Sequence, residues 1–323
     1  MHSPATVDNL EAALERAVSR FDEGASTGEQ MHHHLGLGTG SEPDRRHARL
    51  TLAAALEEGG TQADAIDPAC AVEIVYLFSL IHEDIEDGGV ERDGRPTVWS
   101  RYGLAHGINA GDALCAVAYL ALLDPIAPRS PSDTVAMTLV LHDAHLAMCG
   151  GHGRAIAYDR ERRVSPDDYV AMMNDKTAAL YGAACRIGAL AAGADAQRAL
   201  AYAQLGVGYG RALHIADDVR SIWSAGAAAH NGSWTYPVVW ALAGPPSAHR
   251  DRIAAAYAGP QVAPAGALGE VVTALDALHA RDAAQRAIEA ETKAADAAAD
   301  AAGIDAGGRV RAVLQQALRR LPG

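Results

Sequence analysis

The chain has 323 residues, enough to bury a large core, and its formal net charge of −13 excludes the basic surface that nucleic acid requires. Apolar residues make up 49% but aromatics only 5%, and alanine dominates, so the composition points to an all-α fold. No uninterrupted apolar stretch reaches about 20 residues and the N-terminus lacks a basic-then-apolar leader, so neither a transmembrane segment nor a signal peptide is expected.

Residues 6–23 carry helical spacing, and the Gly- and polar-rich stretch 23–45 reads as a connection. His32, His33 and His34 fall in that connection and read as incidental rather than as a metal site. A helix is expected over 49–58. Asp67-Pro68 then suits an N-cap and first turn, opening a helix through Cys70, Val75, Phe78 and Ile81 to Asp87. It is apolar on every face until His82, so it is expected to be central and buried. Residues 88–96 read as a loop.

Helices follow over 105–123 and 131–157. Ser165-Pro166 caps another that runs to about 190, and 195–223 forms the next. A Gly/Asn turn over 226–232 precedes shorter helices around Val238 and Arg252. The Ala-, Asp- and Glu-rich stretch 267–302 keeps a stripe of Val271, Leu275 and Leu278 and reads as one long helix. A final helix carries Val310, Leu314 and Leu318. No repeat or dividing linker is visible, so residues 1–323 read as a single domain. Cys70, Cys115, Cys149 and Cys185 are far apart, and they read as small buried hydrophobes in a reducing cytoplasm.

The chemistry lies in two acidic clusters. Glu83-Asp84-Ile85-Glu86-Asp87 closes the apolar helix, with Glu83 and Asp87 on one face and Asp84 flanking it. Carboxylates there oppose each other and the negative end of the helix dipole. Mg²⁺ bound jointly by carboxylates and substrate phosphates relieves both penalties, whereas the plain alternative is a solvated acidic helix end. Asp217-Asp218-Val219-Arg220-Ser221 ends a second helix about 130 residues later. Two such motifs fit a helical bundle with carboxylates facing across one central cavity.

These residues resemble the trans-isoprenyl diphosphate synthases (polyprenyl synthetases) and related class I terpene synthases. The resemblance rests on Ser79–Asp87, on Arg92, Gly94-Arg-Pro-Thr97 and Tyr102-Gly103, and on the stretch from His106 to Asp112. It also rests on Lys176-Thr177 and the helix from Gly206 to Asp218. It implies an all-helical fold, an allylic prenyl diphosphate substrate, about three Mg²⁺ ions and a homodimer. It further implies that Glu83, Asp84, Asp87, Asp217 and Ser221 hold the metal, with Asp218 behind them. Asp84, Asp87, Asp217 and Lys176 would act in catalysis. Arg92, Lys176, Thr177, His214, Asp218 and Phe78 would contact the substrate. Phe78, five residues before Glu83, would limit the chain to C15 or C20, unless it is only core. His82 reads as structural.

The sequence departs from the family where elongating members bind isopentenyl diphosphate. Asp93 replaces the second arginine after the first motif, and Tyr76 replaces a histidine. Asp44 and His47 replace a lysine and an arginine in the simplest register, although Arg45, Arg46 and Arg49 are near enough to compensate. Exchanging arginine for aspartate beside a diphosphate of charge about −3 costs several kcal/mol. Further along, His214 replaces a glutamine and Ser233 a lysine. Asp217 and Ser221 coincide with two positions of a terpene-cyclase metal motif whose third position holds Ala225.

The first expectation is therefore a terpene synthase that ionises a C15 or C20 allylic diphosphate without adding isopentenyl diphosphate. A prenyltransferase acting on an aromatic acceptor or isopentenyl diphosphate is the runner-up. A non-catalytic partner subunit of a synthase is the third.

Overall fold

Helices rich in alanine and poor in aromatics gain stability only by approaching closely, because small side chains reach little apolar surface across a wide gap. A computed structural model describes residues 4–19, 26–36, 44–125, 127–223, 233–258 and 265–319, and helix dominates them. The first helices are α1 (Pro4–Ser19), α2 (Ser26–Leu35), α3 (Arg46–Glu57) and α4 (Gln62–Glu86). A two-residue ribbon, β1 (Glu91–Arg92) with β2 (Arg95–Pro96), is the only sheet among the described residues. Next come α5 (Val98–Tyr102), α6 (Leu104–Leu123), α7 (Pro131–Glu161) and α8 (Pro166–Met173). A π turn (Asn174–Ala178) leads into α9 (Ala179–Ala191) and α10 (Ala196–Trp223). The chain continues through α11 (Tyr236–Ala243), α12 (Ala248–Tyr257), α13 (Ala265–Ala277), α14 (Ala280–Ala301) and α15 (Arg309–Arg319).

These residues group into two compact units, 1–142 with 183–202 and 143–182 with 203–323. Their boundaries fall inside α7, α9 and α10, so no linker marks them in the sequence. In the first unit α4 is central, packed against α1, α2, α3, α5 and α6. Its Val72, Ile74, Val75, Leu77, Phe78 and Ile81 are all buried. Burying each such side chain is worth about 1.5–3 kcal/mol relative to exposure. Glycines allow the close approach: Gly111 of α6 lies against the His82 ring, and Gly188 of α9 lies against the Thr51 carbonyl of α3. In the second unit, one cluster joins Val238, Ile253, Tyr257, Val271 and Leu275, and another joins Tyr169, Met173, Ile215 and Val239.

Several local expectations are corrected. The connection over 23–45 contains α2, whose Ser26-x-x-Glu29 start is an N-terminal helix signal. The three histidines therefore sit on a helix, and His34 is bonded to the Leu77 carbonyl. α4 begins at Gln62 rather than Pro68, under a Thr61–Asp64 capping box. Pro68 then lies inside the helix and offers no N–H to the Asp64 carbonyl four residues back. Arg129 supplies the missing donor at 2.5 Å. The long helix over 267–302 breaks at His279, which is left-handed (φ 57°), so α13 and α14 pack separately. The turn over 226–232 and Ala225 lie outside the described residues.

Cys70 and Cys185 are buried and Cys115 is intermediate, but Cys149 is exposed, and none of the four is in a disulfide. Burial pushes the Cys185 thiol up to about 12. By length and composition α4 and α6 could each cross a membrane, although neither is apolar without interruption. Within the protein, 72% of the α4 window and 39% of the α6 window is buried.

Gly188→Ala should test the close-packing account. Its methyl would collide with a backbone carbonyl that no rotamer change can move, costing about 1–3 kcal/mol. An unchanged urea midpoint would show that α9 and α3 are not held by this contact.

Candidate active site

In the first unit the acidic motif ends α4. Asp84 is buried at 4% exposure, Glu83 is half-buried, and Asp87 caps the helix in an exposed position. Just after it the chain reverses through Asp93-Gly94, both at positive φ (51° and 72°), in a two-residue hairpin. An Asp-Gly pair suits such a turn, which gives Asp93 a local reason to replace arginine. The hairpin is anchored where Thr97 Oγ1 and Trp99 Nε1 donate to the Gly89 carbonyl at 2.8 and 2.7 Å. It returns Arg92 to the motif, with Nε and Nη2 at 2.8 and 2.7 Å from Asp84 Oδ1 and Nη2 at 3.5 Å from Glu83.

Burial raises the Asp84 pKa, against the pull of Arg92. Its second oxygen, Oδ2, is buried with no hydrogen-bond partner. An unmatched carboxylate oxygen beside two more carboxylates is the hard, oxygen-only donor set that Mg²⁺ takes. Among the described residues, no three His, Cys, Asp or Glu side chains form a closed metal cluster. An ion here would complete its shell with water or substrate oxygens. Phe78 is buried with its ring edge-on to His82, 5.8 Å between centroids.

The second motif, in the other unit, has its own supports. Asp217 is partly exposed and paired with Arg220. The Asp218 carboxylate turns into the protein, accepting from the Tyr169 hydroxyl and from Tyr236 N at 2.7 Å. Burial raises its pKa to about 7, against those two donors. Asp218, expected to touch substrate, thus fastens the end of α10 to α8 and α11. Ser221 donates back to the Asp218 carbonyl at 2.9 Å.

Lys176 and Thr177 lie in the π turn, a distortion that recurs at functional sites. Gly151 of α7 lies against the Lys176 backbone, where any side chain would collide. Thr177 Oγ1 is 2.6 Å from His214 Nδ1, so this pair joins the π turn to α10. Sequence reasoning missed Tyr169 and Arg220 as supports. The i,i+3 spacing to Asp217 could have revealed Arg220, but nothing local links Tyr169 to Asp218.

The positions that depart from the family meet in the first unit. His47 is buried and tilted over Tyr76, 4.4 Å between centroids. Asp44 pairs with Arg46 and Arg49, both at 3.1 Å. Arg45 is buried against Glu11 and the Leu35 carbonyl.

With this geometry in place, likeness to known proteins becomes specific. The polyprenyl synthetase family pattern matches residues 40–262. The chain belongs to the polyprenyl synthetase family. It is 36% identical over 219 residues to a geranylgeranyl diphosphate synthase of Mycobacterium tuberculosis, covering 65% of this chain and 61% of that protein. It is 32% identical over 213 residues to a short chain isoprenyl diphosphate synthase of Methanothermobacter thermautotrophicus, covering 63% of this chain and 64% of that one. The chain thus spans about three fifths of the length of the curated relatives it matches. The structure of a polyprenyl synthetase from Streptomyces coelicolor superposes with a TM-score of 0.80 at 26% identity, covering 99% of each chain. A Corynebacterium glutamicum geranylgeranyl pyrophosphate synthase, complexed with isoprenyl diphosphate and magnesium, shares the fold at a TM-score of 0.82 and 20% identity, covering 99% of each chain.

The buried ionisable groups give the family member an acid-sensitive stability. Burial lowers His34 and His47 from 6.5 to about 3, so the unfolded chain binds protons that the folded chain refuses. Their contribution is complete above pH 6.5 and is lost as pH falls toward 3. Glu73 and Asp218, both raised to about 7, act oppositely and offset the histidines down to their ordinary values of 4.5 and 3.8. Stability should therefore fall most steeply below about pH 4. His47→Phe should flatten that limb by about 1.4 kcal/mol per pH unit, read from urea unfolding at several pH values. An unaltered slope would mean that His47 is not held neutral.

Proposed function

We propose that this chain is a magnesium-dependent prenyltransferase that ionises a C15 or C20 allylic prenyl diphosphate and passes the prenyl group to a carbon acceptor. The observation that carries the reading is the unmatched, buried Asp84 oxygen at the end of α4, beside Glu83, Asp87 and Arg92. Family membership supports it, as do relatives named for making prenyl diphosphates and one crystallised with isoprenyl diphosphate and magnesium. These relatives move the weight from the cyclisation first expected from the sequence toward prenyl transfer.

Glu83, Asp84 and Asp87 would hold metal in the first unit, and Asp217 with Ser221 in the second. Magnesium, when bound, neutralises charge that develops on the departing diphosphate. In the first unit Arg92 would exchange its present carboxylate partner for phosphate oxygens, and in the second Lys176 would offer a phosphate a point charge. Thr177 and His214 would fix the π turn that presents Lys176. The buried Phe78 would close the floor for the prenyl chain. Asp218, tied to Tyr169 and Tyr236, would keep Asp217 in register rather than touch substrate. A homodimer, implied by the resemblance, would cover apolar residues that α6 and α7 leave exposed, among them Leu104, Leu123, Val135 and Leu139.

Cyclisation of the same cation is the second reading, and the His47–Tyr76 contact favours it by removing charge where a second diphosphate would bind.

Diphosphate release from farnesyl or geranylgeranyl diphosphate should require Mg²⁺ and stop in excess chelator. Asp84→Ala should slow it at least about 100-fold. Full turnover in that variant would remove Asp84 from the mechanism.

A further inference from the structure

Beside the first acidic motif lies a small pocket in the first unit. Its walls include Leu77, Leu80, Asp84, Arg92, Asp93 and Arg95, with His34, Arg45 and Pro96 among the rest. A pocket that touches both Asp84 and Arg92 is where a second reactant would meet the cation formed there.

The charges around this pocket are already matched. Arg45 donates to both Glu11 oxygens, at 2.8 and 3.0 Å, and to the Leu35 carbonyl at 2.7 Å. Arg95 donates to the His33 and His34 carbonyls, closing the C-terminal end of α2. Arg92 is held by Asp84 and Glu83 and, on the reading above, would turn to the allylic diphosphate rather than to a second one. His34 is half-buried, desolvation lowers its pKa to about 3, and its Nε2–H donates to the Leu77 carbonyl at 2.7 Å. On α3, Arg46 and Arg49 are turned to Asp44, and neutral His47 lies over Tyr76. Asp93 then adds a negative charge at the hairpin tip.

An isopentenyl diphosphate carries about three negative charges and needs several cations able to turn toward it. Drawing Arg45 away would leave Glu11 and the Leu35 carbonyl unsatisfied, and drawing Arg95 away would uncap α2, so neither cation can move without loss elsewhere. Among these charged and polar side chains, Leu77, Leu80 and Pro96 give part of the wall an apolar surface against which an uncharged guest can pack.

Building on the proposed ionisation of an allylic diphosphate, we propose that the acceptor is an uncharged carbon nucleophile, an alkene or an electron-rich aromatic ring, instead of a second diphosphate. The C1–O bond breaks and its electron pair leaves with diphosphate. The acceptor's π pair forms the new carbon–carbon bond at C1. The resulting cation loses a proton to the departed diphosphate, which balances charge and atoms. The alkene is either a double bond of the prenyl chain itself or part of another molecule, and separate assays tell these apart.

The full-length protein with Mg²⁺ is incubated with geranylgeranyl diphosphate alone, with isopentenyl diphosphate, and with a dihydroxynaphthalene. Organic-soluble cyclic hydrocarbon from the first mixture, or a prenylated ring from the third, is the expected result, whereas a linear alcohol, formed by capture of water, would overturn it. A lengthened diphosphate from the second would overturn the proposal. Isothermal titration of unmodified protein with isopentenyl diphosphate, beside an unreactive allylic thiolodiphosphate, reads the pocket without turnover. The allylic analogue should bind, and isopentenyl diphosphate should bind at least about tenfold more tightly to Asp44→Lys/Asp93→Arg than to the unmodified chain. Micromolar binding of isopentenyl diphosphate to the unmodified chain overturns the inference whether or not that variant folds. Failure of the allylic analogue to bind, with no diphosphate released in any mixture, sinks the prenyltransferase reading and this inference with it.

Discussion

The end of α4 is an unfavourable place for acid. Glu83, Asp84 and Asp87 crowd the negative pole of a 25-residue helix, and the helix must stay buried to hold them. Arg92 makes the arrangement stable by matching one oxygen of Asp84 while leaving the other unmatched. The rest of the region follows from delivering that arginine. Asp93-Gly94 reverses the chain, Thr97 and Trp99 pin it to Gly89, and Arg95 ties it to α2.

The scarcity of aromatics imposes a second constraint. Helices must touch nearly backbone to backbone, so glycines fall where elements meet: Gly111 at His82, Gly151 at Lys176, Gly188 at Thr51. The contact at Lys176 bears on function, because it fixes the π turn whose Thr177 reaches His214. Close packing also excludes water from polar groups, which explains neutral His34 and His47 and the raised Glu73 carboxyl. Arg45, Arg92 and Arg95, which line the pocket beside Asp84, are each held by partners within the protein.

Changes that look like loss in the sequence are compensated in the structure. Tyr76 and His47 pack on one another, and Asp44 neutralises two arginines that could otherwise have replaced the lost cations. Asp93 suits a left-handed turn better than the arginine it replaces. Such mutual fit is what a site adapted to another acceptor would show.

Helical class, the buried course of α4 and the two acidic clusters were legible because they depend on local composition and spacing. The helix start at Ser165-Pro166 and the apolar course around Phe78 were legible for the same reason. Tertiary contacts decided what spacing could not. Pro68 sits inside α4 because Arg129, 61 residues on, serves the carbonyl it abandons. α13 separates from α14 at a left-handed His279, and beyond Ala280, which still packs with α13, the apolar face of α14 joins the Tyr169 cluster through Ala284 and Ile288. Asp218 looks like its neighbour Asp217 in sequence, yet Tyr169 and Tyr236 turn one inward and leave the other partly exposed. The sequence by itself determined which groups carry charge and which helices must be buried. Only the tertiary structure decided which of those charges are already matched, because a charge's partner is set by distance in space and not along the chain.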